Sequence, residues 1–191
     1  MADSTAMIMR RRFFCSCLVI SLFALHLRAA DSVGQPEGGK AAAPKSFQIR
    51  NQKYGSLLRP EEANSANGTP IVLYPAQPWK CMTWRLHPAG ESRFQLQNHF
   101  TSKTFAAAAG DQAQAAVTQV PFGKKAEERP TWQFTKLNNG AYKITEAKSG
   151  KALTALKEEN RSGVRIAIQD WHESENQKWE LIEIDPKDLT M

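Results

Sequence analysis

The chain has 191 residues, 41% of them hydrophobic and 23% charged, with a formal net charge of +6. That leaves room for one domain with extensions, at roughly 100–200 residues per domain, and it excludes collagen-like and low-complexity classes. The excess charge is concentrated at the amino end, where residues 1–30 hold Arg10, Arg11, Arg12 and Arg28 against Asp3. Taking four and one from the chain's 25 basic and 19 acidic residues leaves 21 and 18, or +3, for residues 31–191. No basic run remains there, so no nucleic-acid partner is expected, because phosphate binding takes a clustered patch.

From Arg10 the chain reads RRRFFCSCLVISLFALHLRAADS. A basic cluster precedes the largely apolar stretch Phe13–Leu27, whose 15 residues would rise about 22 Å as a helix against a bilayer core of about 30 Å. The pattern predicts a signal peptide over residues 1–30, and no stable membrane span once it is removed. Ala29 and Ala30 offer a cleavage point, with Arg28 unusual beside them; an uncleaved short anchor is the alternative. The run Arg10–Phe14 also resembles a twin-arginine export signal. The protein is therefore expected to be exported, to an extracellular, periplasmic or cell-surface location. Cys15 and Cys17 fall in this segment, so Cys81 alone remains and no intramolecular disulfide is expected in the mature chain. The fold must rest on its core, for which roughly 140 residues suffice.

Residues 31–45 (DSVGQPEGGKAAAPK) read as a flexible linker. The body of the chain then repeats. Trp84 in MTWRL, Trp132 in PTWQF and Trp179 in QKWEL are spaced 48 and 47 residues apart. FQI at 47–49, FQL at 94–96 and YKI at 142–144 follow the same period, and an apolar residue stands eleven after each aromatic, at Leu58, Phe105 and Leu153. Three marks on one period define an internal repeat of about 47 residues. Apolar and polar residues alternate in FQI, WRL and RIAIQDW (165–171), the period of a half-buried strand. Tyr54-Gly55-Ser56, Asn67-Gly68, Asn138-Asn139-Gly140 and Ser149-Gly150 supply turns. Ala106–Ala109 are too few to nucleate a helix, and the register puts them at a strand end. The expectation is an all-β domain over 46–184 with a tail at 185–191. Its three equivalent tryptophans point to a shared axis, because one repeat alone has too little apolar surface to stand.

The period, the tryptophan ending each repeat, and the sequence Asn176-Gln177-Lys178-Trp179 resemble the ricin-B-type lectin domain with its QxW repeats. GTPIVLY (68–74), SGKALTA (149–155) and QDWHESENQKW (169–179) are similar to further motifs of that family. The resemblance implies a β-trefoil with carbohydrate bound in shallow pockets, a glycan or polysaccharide as partner, and a non-catalytic role. It places an aspartate directly after the apolar residue of each second strand, where its carboxylate accepts hydrogen bonds from sugar hydroxyls. The matching residues here are Arg59, Ala106 and Thr154. It also implies an aromatic platform for sugar C–H faces. Carried over by position, it names Asp170, Trp171, Asn176, Gln177 and Thr154 in repeat three, with Asn176 matching the sugar-contacting asparagine and Gln177 the glutamine that supports the loop, and Tyr74 in repeat one with Trp79 as a further ring. In repeat one Cys81 and Met82 stand where repeat three has Asn176 and Gln177. In repeat two the loop FGKKAEER (122–129) leaves no sugar site.

Chemistry finds little support in the sequence. His87, His99 and His172 have no paired metal-ligand spacing, no cofactor is implied, and GxSxG and Walker patterns are missing. Three repeats use nearly the whole body, so the expected protein is a monomeric, non-enzymatic binder, with repeat three as its site. The competing reading is a trefoil that has lost its sugar pockets and serves as a protein-interaction or structural module.

Overall fold

The computed structural model describes residues 44–108, 114–160 and 163–190, and of residues 158–160 the backbone alone. The expected signal peptide and the linker up to residue 43 lie outside the described residues. Twelve strands are found among the described residues, four to a repeat. Repeat one holds β1 (Lys45–Asn51), β2 (Leu57–Pro60), β3 (Ile71–Tyr74) and β4 (Thr83–Pro88). Repeat two holds β5 (Arg93–Asn98), β6 (Thr104–Ala107), β7 (Ala115–Val120) and β8 (Trp132–Lys136). Repeat three holds β9 (Tyr142–Glu146), β10 (Ala152–Asn160), β11 (Gly163–Gln169) and β12 (Lys178–Glu183). The helical pieces are 3-10 turns of three residues, and no helix among the described residues is long and apolar enough to cross a membrane.

The first and last strands of the repeats form a closed ring. β1 pairs with β4, β4 with β5, β5 with β8, β8 with β9, β9 with β12, and β12 back onto β1, all antiparallel. Closure leaves this six-stranded barrel no open edge. The two sequence marks of each repeat are cross-strand partners: Phe47 faces Trp84, Phe94 faces Trp132 and Tyr142 faces Trp179. The middle strands form the hairpins β2–β3, β6–β7 and β10–β11 at one end of the barrel. β11 joins β3 and β7 there, and a bridge from Pro70 to Thr118 ties repeat one to repeat two. Gly163 opens β11 at φ 118°, and a Cβ there would come within 2.0 Å of the Leu73 carbonyl oxygen. Glycine is what lets β11 close on β3. This is the β-trefoil.

All three tryptophans are fully buried, and so are Leu58, Phe105 and Leu153. Phe105 is wedged between Trp84 and Trp132, each 5.0 Å away between ring centroids. Each large side chain removed from water contributes about 1.5–3 kcal/mol. The symmetry is imperfect at the polar end of the ring. Trp84 Nε1 donates to the Leu58 carbonyl at 3.1 Å and Trp179 Nε1 to the Leu153 carbonyl at 3.0 Å, but the buried Trp132 Nε1 has no partner.

Two buried asparagines stitch neighbouring repeats. Asn51 Nδ2 donates to the Asn176 carbonyl at 3.0 Å, and Asn98 Nδ2 to the Cys81 carbonyl at 2.9 Å. Each thus holds the loop that leads into the preceding tryptophan strand around the ring. The described part of the expected tail is docked. A 3-10 turn spans Pro186–Asp188, and Thr190 bridges to Trp79, accepting from Lys80 N and donating its own N–H to the Pro78 carbonyl.

Candidate functional site

In repeat three, Gln177 is the hub of the loop between β11 and β12. It is 1% exposed. Its Nε2 donates to Thr154 Oγ1 at 3.0 Å and to the Asp170 carbonyl at 2.7 Å, while Oε1 accepts from His172 N at 2.7 Å. Thr154, also 1% exposed, passes its own proton to the Ala152 carbonyl at 2.9 Å. A turn at Glu175–Gln177 sets Asn176 beside β10, where its Nδ2 donates to the Ala155 carbonyl at 2.7 Å. Every buried polar group of this lattice named here has a partner, which is what low dielectric demands.

The structure places the residues named for the sugar site in two groups, with Gln177 in the loop-supporting part that the family resemblance implies. Thr154 and Gln177 are buried and hold the loop; they present no surface to a ligand. Asp170 is exposed, and Trp171 and Asn176 are half-buried. Asn176 lines a cleft of about 340 Å³ with Gln114, Leu156, Lys157 and Gln169. Trp171 is not among the residues lining this cleft, and Lys143 Nζ lies 5.4 Å from its ring centroid, a cation–π distance. Sequence reasoning missed Gln169, Gln114, Leu156 and Lys157. Gln169 was readable: it ends the alternating strand directly before Asp170, and a polar residue at a strand end faces whatever the loop encloses. Gln114 and Lys157 come from other elements, and their placement needs the hairpin packing.

Tyr74 stands apart, in repeat one. Arg59 occupies the strand position equivalent to Thr154, is 7% exposed, and stacks its guanidinium 3.6 Å from the Tyr74 ring centroid. Trp79 stacks on Tyr74 at 6.2 Å. One face of Tyr74 is therefore taken by Arg59, and Trp79 is walled by the docked carboxyl end. Cys81 is buried beside Arg59; burial pushes its thiol up, opposed by the guanidinium charge. That is the environment of an inert thiol rather than a nucleophile. In repeat two, Arg129 lies 4.2 Å from the Phe122 ring centroid and donates to the Gly123 and Lys124 carbonyls, so the loop satisfies itself. No group of three His, Cys, Asp or Glu among the described residues is placed to hold a metal ion.

The family model for the ricin-type β-trefoil lectin domain matches residues 45–179. The chain belongs to this family. Comparison with curated protein sequences gave no match. Among solved structures, the designed threefold-symmetric protein ThreeFoil superposes with TM-score 0.66 at 21% identity, covering 73% of this chain and 99% of its own. The Rhizoctonia solani agglutinin gives 0.65 at 18%, over 74% and 96%. The C-half of the earthworm R-type lectin, solved in complex with GalNAc, gives 0.56 at 19%, over 74% and 100%. At these identities the likeness is one of fold. Membership of the lectin family supports carbohydrate binding in general, and the family is generally non-catalytic. Within this lectin domain the residues matching the aspartate of the sugar pocket are Arg59, Ala106 and Thr154, and repeat three carries an amide-lined cleft, with the exposed Asp170 following its Gln169 in the chain.

Proposed function

We propose that this trefoil is an exported, monomeric lectin that binds a glycan or polysaccharide through repeat three without catalysing a reaction. The observation that carries the reading is the fully hydrogen-bonded Gln177 lattice, which fixes Asn176 in the lining of an amide-lined cleft and anchors the exposed Asp170 through its backbone carbonyl. Vicinal sugar hydroxyls both donate and accept. The free Asn176 oxygen, the Gln169 and Gln114 amides and the Asp170 carboxylate match that pattern. Trp171, half-buried in the same loop, offers an indole for a longer chain. A shallow, wet site of this kind gains little net energy after ordering costs, so binding per site is weak and polymeric ligands are favoured. The earthworm lectin half was crystallised with GalNAc; galactose-type sugars are the first to try.

A second reading is supported by a specific observation. Arg59, Ala106 and Thr154 all lack a carboxylate, and Lys143 sits over Trp171. A trefoil so altered serves as a protein-interaction module. A glycan and insoluble-polysaccharide screen of the purified protein, run with Asn176→Ala, Asp170→Ala and Trp171→Ala, decides between them. Binding lost in Asn176→Ala and Asp170→Ala, with thermal stability kept, is the expected outcome. Failure to bind any carbohydrate would leave the interaction module standing.

A further inference from the structure

A cavity at the far end of the barrel has no part in the proposed carbohydrate site. It opens at the end of the barrel away from the three hairpins, where the odd barrel strands begin and the even ones end, and its volume is about 630 Å³. That falls within the roughly 300–1,000 Å³ typical of small-molecule pockets. The repeat builds it. Phe47, Phe94 and Tyr142 are the first-strand aromatics of the three repeats, and Leu86, Phe134 and Leu181 each stand two residues after a core tryptophan. Leu86 and Phe134 are buried and form the floor, while Phe47, Phe94, Tyr142 and Leu181 are only partly covered. Phe134 meets Phe94 edge-on at 5.3 Å and Tyr142 at 6.4 Å, so the aromatic wall is braced. The same six positions that bury a core therefore leave an apolar cup in contact with water.

The rim is charged. Lys45, Lys136 and Glu183 stand around the opening. Glu183 is engaged by Lys45, with Nζ–Oε1 at 3.0 Å. Lys136, exposed at the end of β8, is in none of the ion pairs among the described residues. Two cations and one anion, with the anion already matched, give the mouth a surplus positive charge at Lys136. A neutral sugar is a poor fit, since the walls offer little beyond the Ser92 and Tyr142 hydroxyls to meet its many polar groups.

We propose that this cavity binds an amphiphile with an apolar body and one anionic end, of the chemical class of a medium-chain alkyl carboxylate. The alkyl body lies among the six apolar side chains and the carboxylate pairs with Lys136. The proposal is independent of the carbohydrate reading, because the two sites share no residue. The test uses the whole chain, the fluorescent apolar sulfonate 1-anilinonaphthalene-8-sulfonate as reporter, and dodecanoate and dodecanol as competitors. One saturable reporter site, displaced by dodecanoate more tightly than by dodecanol, is expected. Lys136→Glu, an exposed change, should weaken dodecanoate about tenfold, the size of one charge-assisted contact, and leave dodecanol unchanged. Leu181→Trp fills the cup and should remove both, with the thermal midpoint retained. The proposal falls if dodecanoate does not displace the reporter, if dodecanol competes as well as dodecanoate, or if either folded variant binds dodecanoate as the parent does. Should Leu181→Trp fail to fold, Lys136→Glu alone still decides.

Discussion

Repeats one and three place opposite chemistry on the same backbone. Where repeat three carries Thr154 and Gln177, repeat one carries Arg59 and Met82, at matching distances from Trp179 and Trp84. In repeat three the slot is filled by a closed set of hydrogen bonds among Gln177, Thr154, the Asp170 carbonyl and His172 N. In repeat one the matching positions hold a buried apolar side chain, Met82, packed with Leu57 and Cys81, and a guanidinium stacked on Tyr74, and Arg59 Nε is buried without a partner. The barrel tolerates both because the slot lies outside the tryptophan layer that holds the three repeats together. What differs is what reaches solvent: an ordered polar loop in one repeat, and a stacked cation–aromatic column covered by the carboxyl end in the other.

That comparison can be broken by exchanging the pieces. Met82→Gln alone should destabilise the protein by about 2–3 kcal/mol, because a buried amide replaces a thioether and finds Arg59 rather than a hydroxyl opposite it. Adding Arg59→Thr supplies the partner that Thr154 provides in repeat three. The double variant should recover a coupling of about 1–2 kcal/mol in a urea-denaturation cycle, within the range found for contacting pairs. Additive losses would mean that the loop after β3 cannot close around a glutamine, and that the two slots are less alike than their registers suggest.

The same two repeats show how far the sequence could be read. The trefoil was legible because its marks are residues that pay off only in a shared core. Trp84, Trp132 and Trp179 recur on one period with Phe47, Phe94 and Tyr142, and the structure pairs them strand to strand. Asn176 and Gln177 were legible as a pair from their place before Trp179. The family resemblance also gave Gln177 the loop-supporting part, which its hydrogen bonds to Thr154, the Asp170 carbonyl and His172 N bear out, but the burial of Thr154 was not legible, since whether a side chain faces solvent or holds a loop depends on which groups the turn brings near. Arg59 was visible as a missing carboxylate, but its stacking on Tyr74 comes from the β2–β3 register, and Gln114 reaches the cleft through β7. The barrel mouth was invisible for a related reason: the residues that line it look like any core position until the strand ends show that the cavity is open among the described residues.

A smaller effect separates repeat two from its neighbours. Trp84 and Trp179 each spend their indole N–H on a carbonyl, and Trp132 does not. Tryptophan to phenylalanine removes similar apolar area at all three sites, so the area losses nearly cancel in the comparison. Trp84→Phe and Trp179→Phe should therefore each cost about 1 kcal/mol more than Trp132→Phe, the net worth of one hydrogen bond, with the stranded carbonyl included. Equal losses at the three sites would show that Trp132 finds a partner in solution.

The smallest effect lies at the seam where the last repeat meets the first. Arg50 on β1 faces Glu180 on β12 and hydrogen-bonds it through Nε at 2.8 Å, with Gln52 adding a weaker contact at 3.4 Å. The hydrogen bond from Arg50 holds the Glu180 carboxyl below its ordinary value against a smaller opposing push from burial. A carboxylate whose folded value is depressed stabilises the fold above its unfolded value, near 4.3, and that contribution fades as pH falls through the lower folded value. Both side chains are well exposed, at 43% and 35%, so solvent screening keeps the contribution under about 1 kcal/mol. Glu180→Gln should leave the stability at neutral pH slightly reduced and flatten its fall between about pH 5 and 3. Added salt should shrink the difference between parent and variant. A variant that loses stability with acid as steeply as the parent would place the acid sensitivity of this barrel elsewhere than at its closing strand pair.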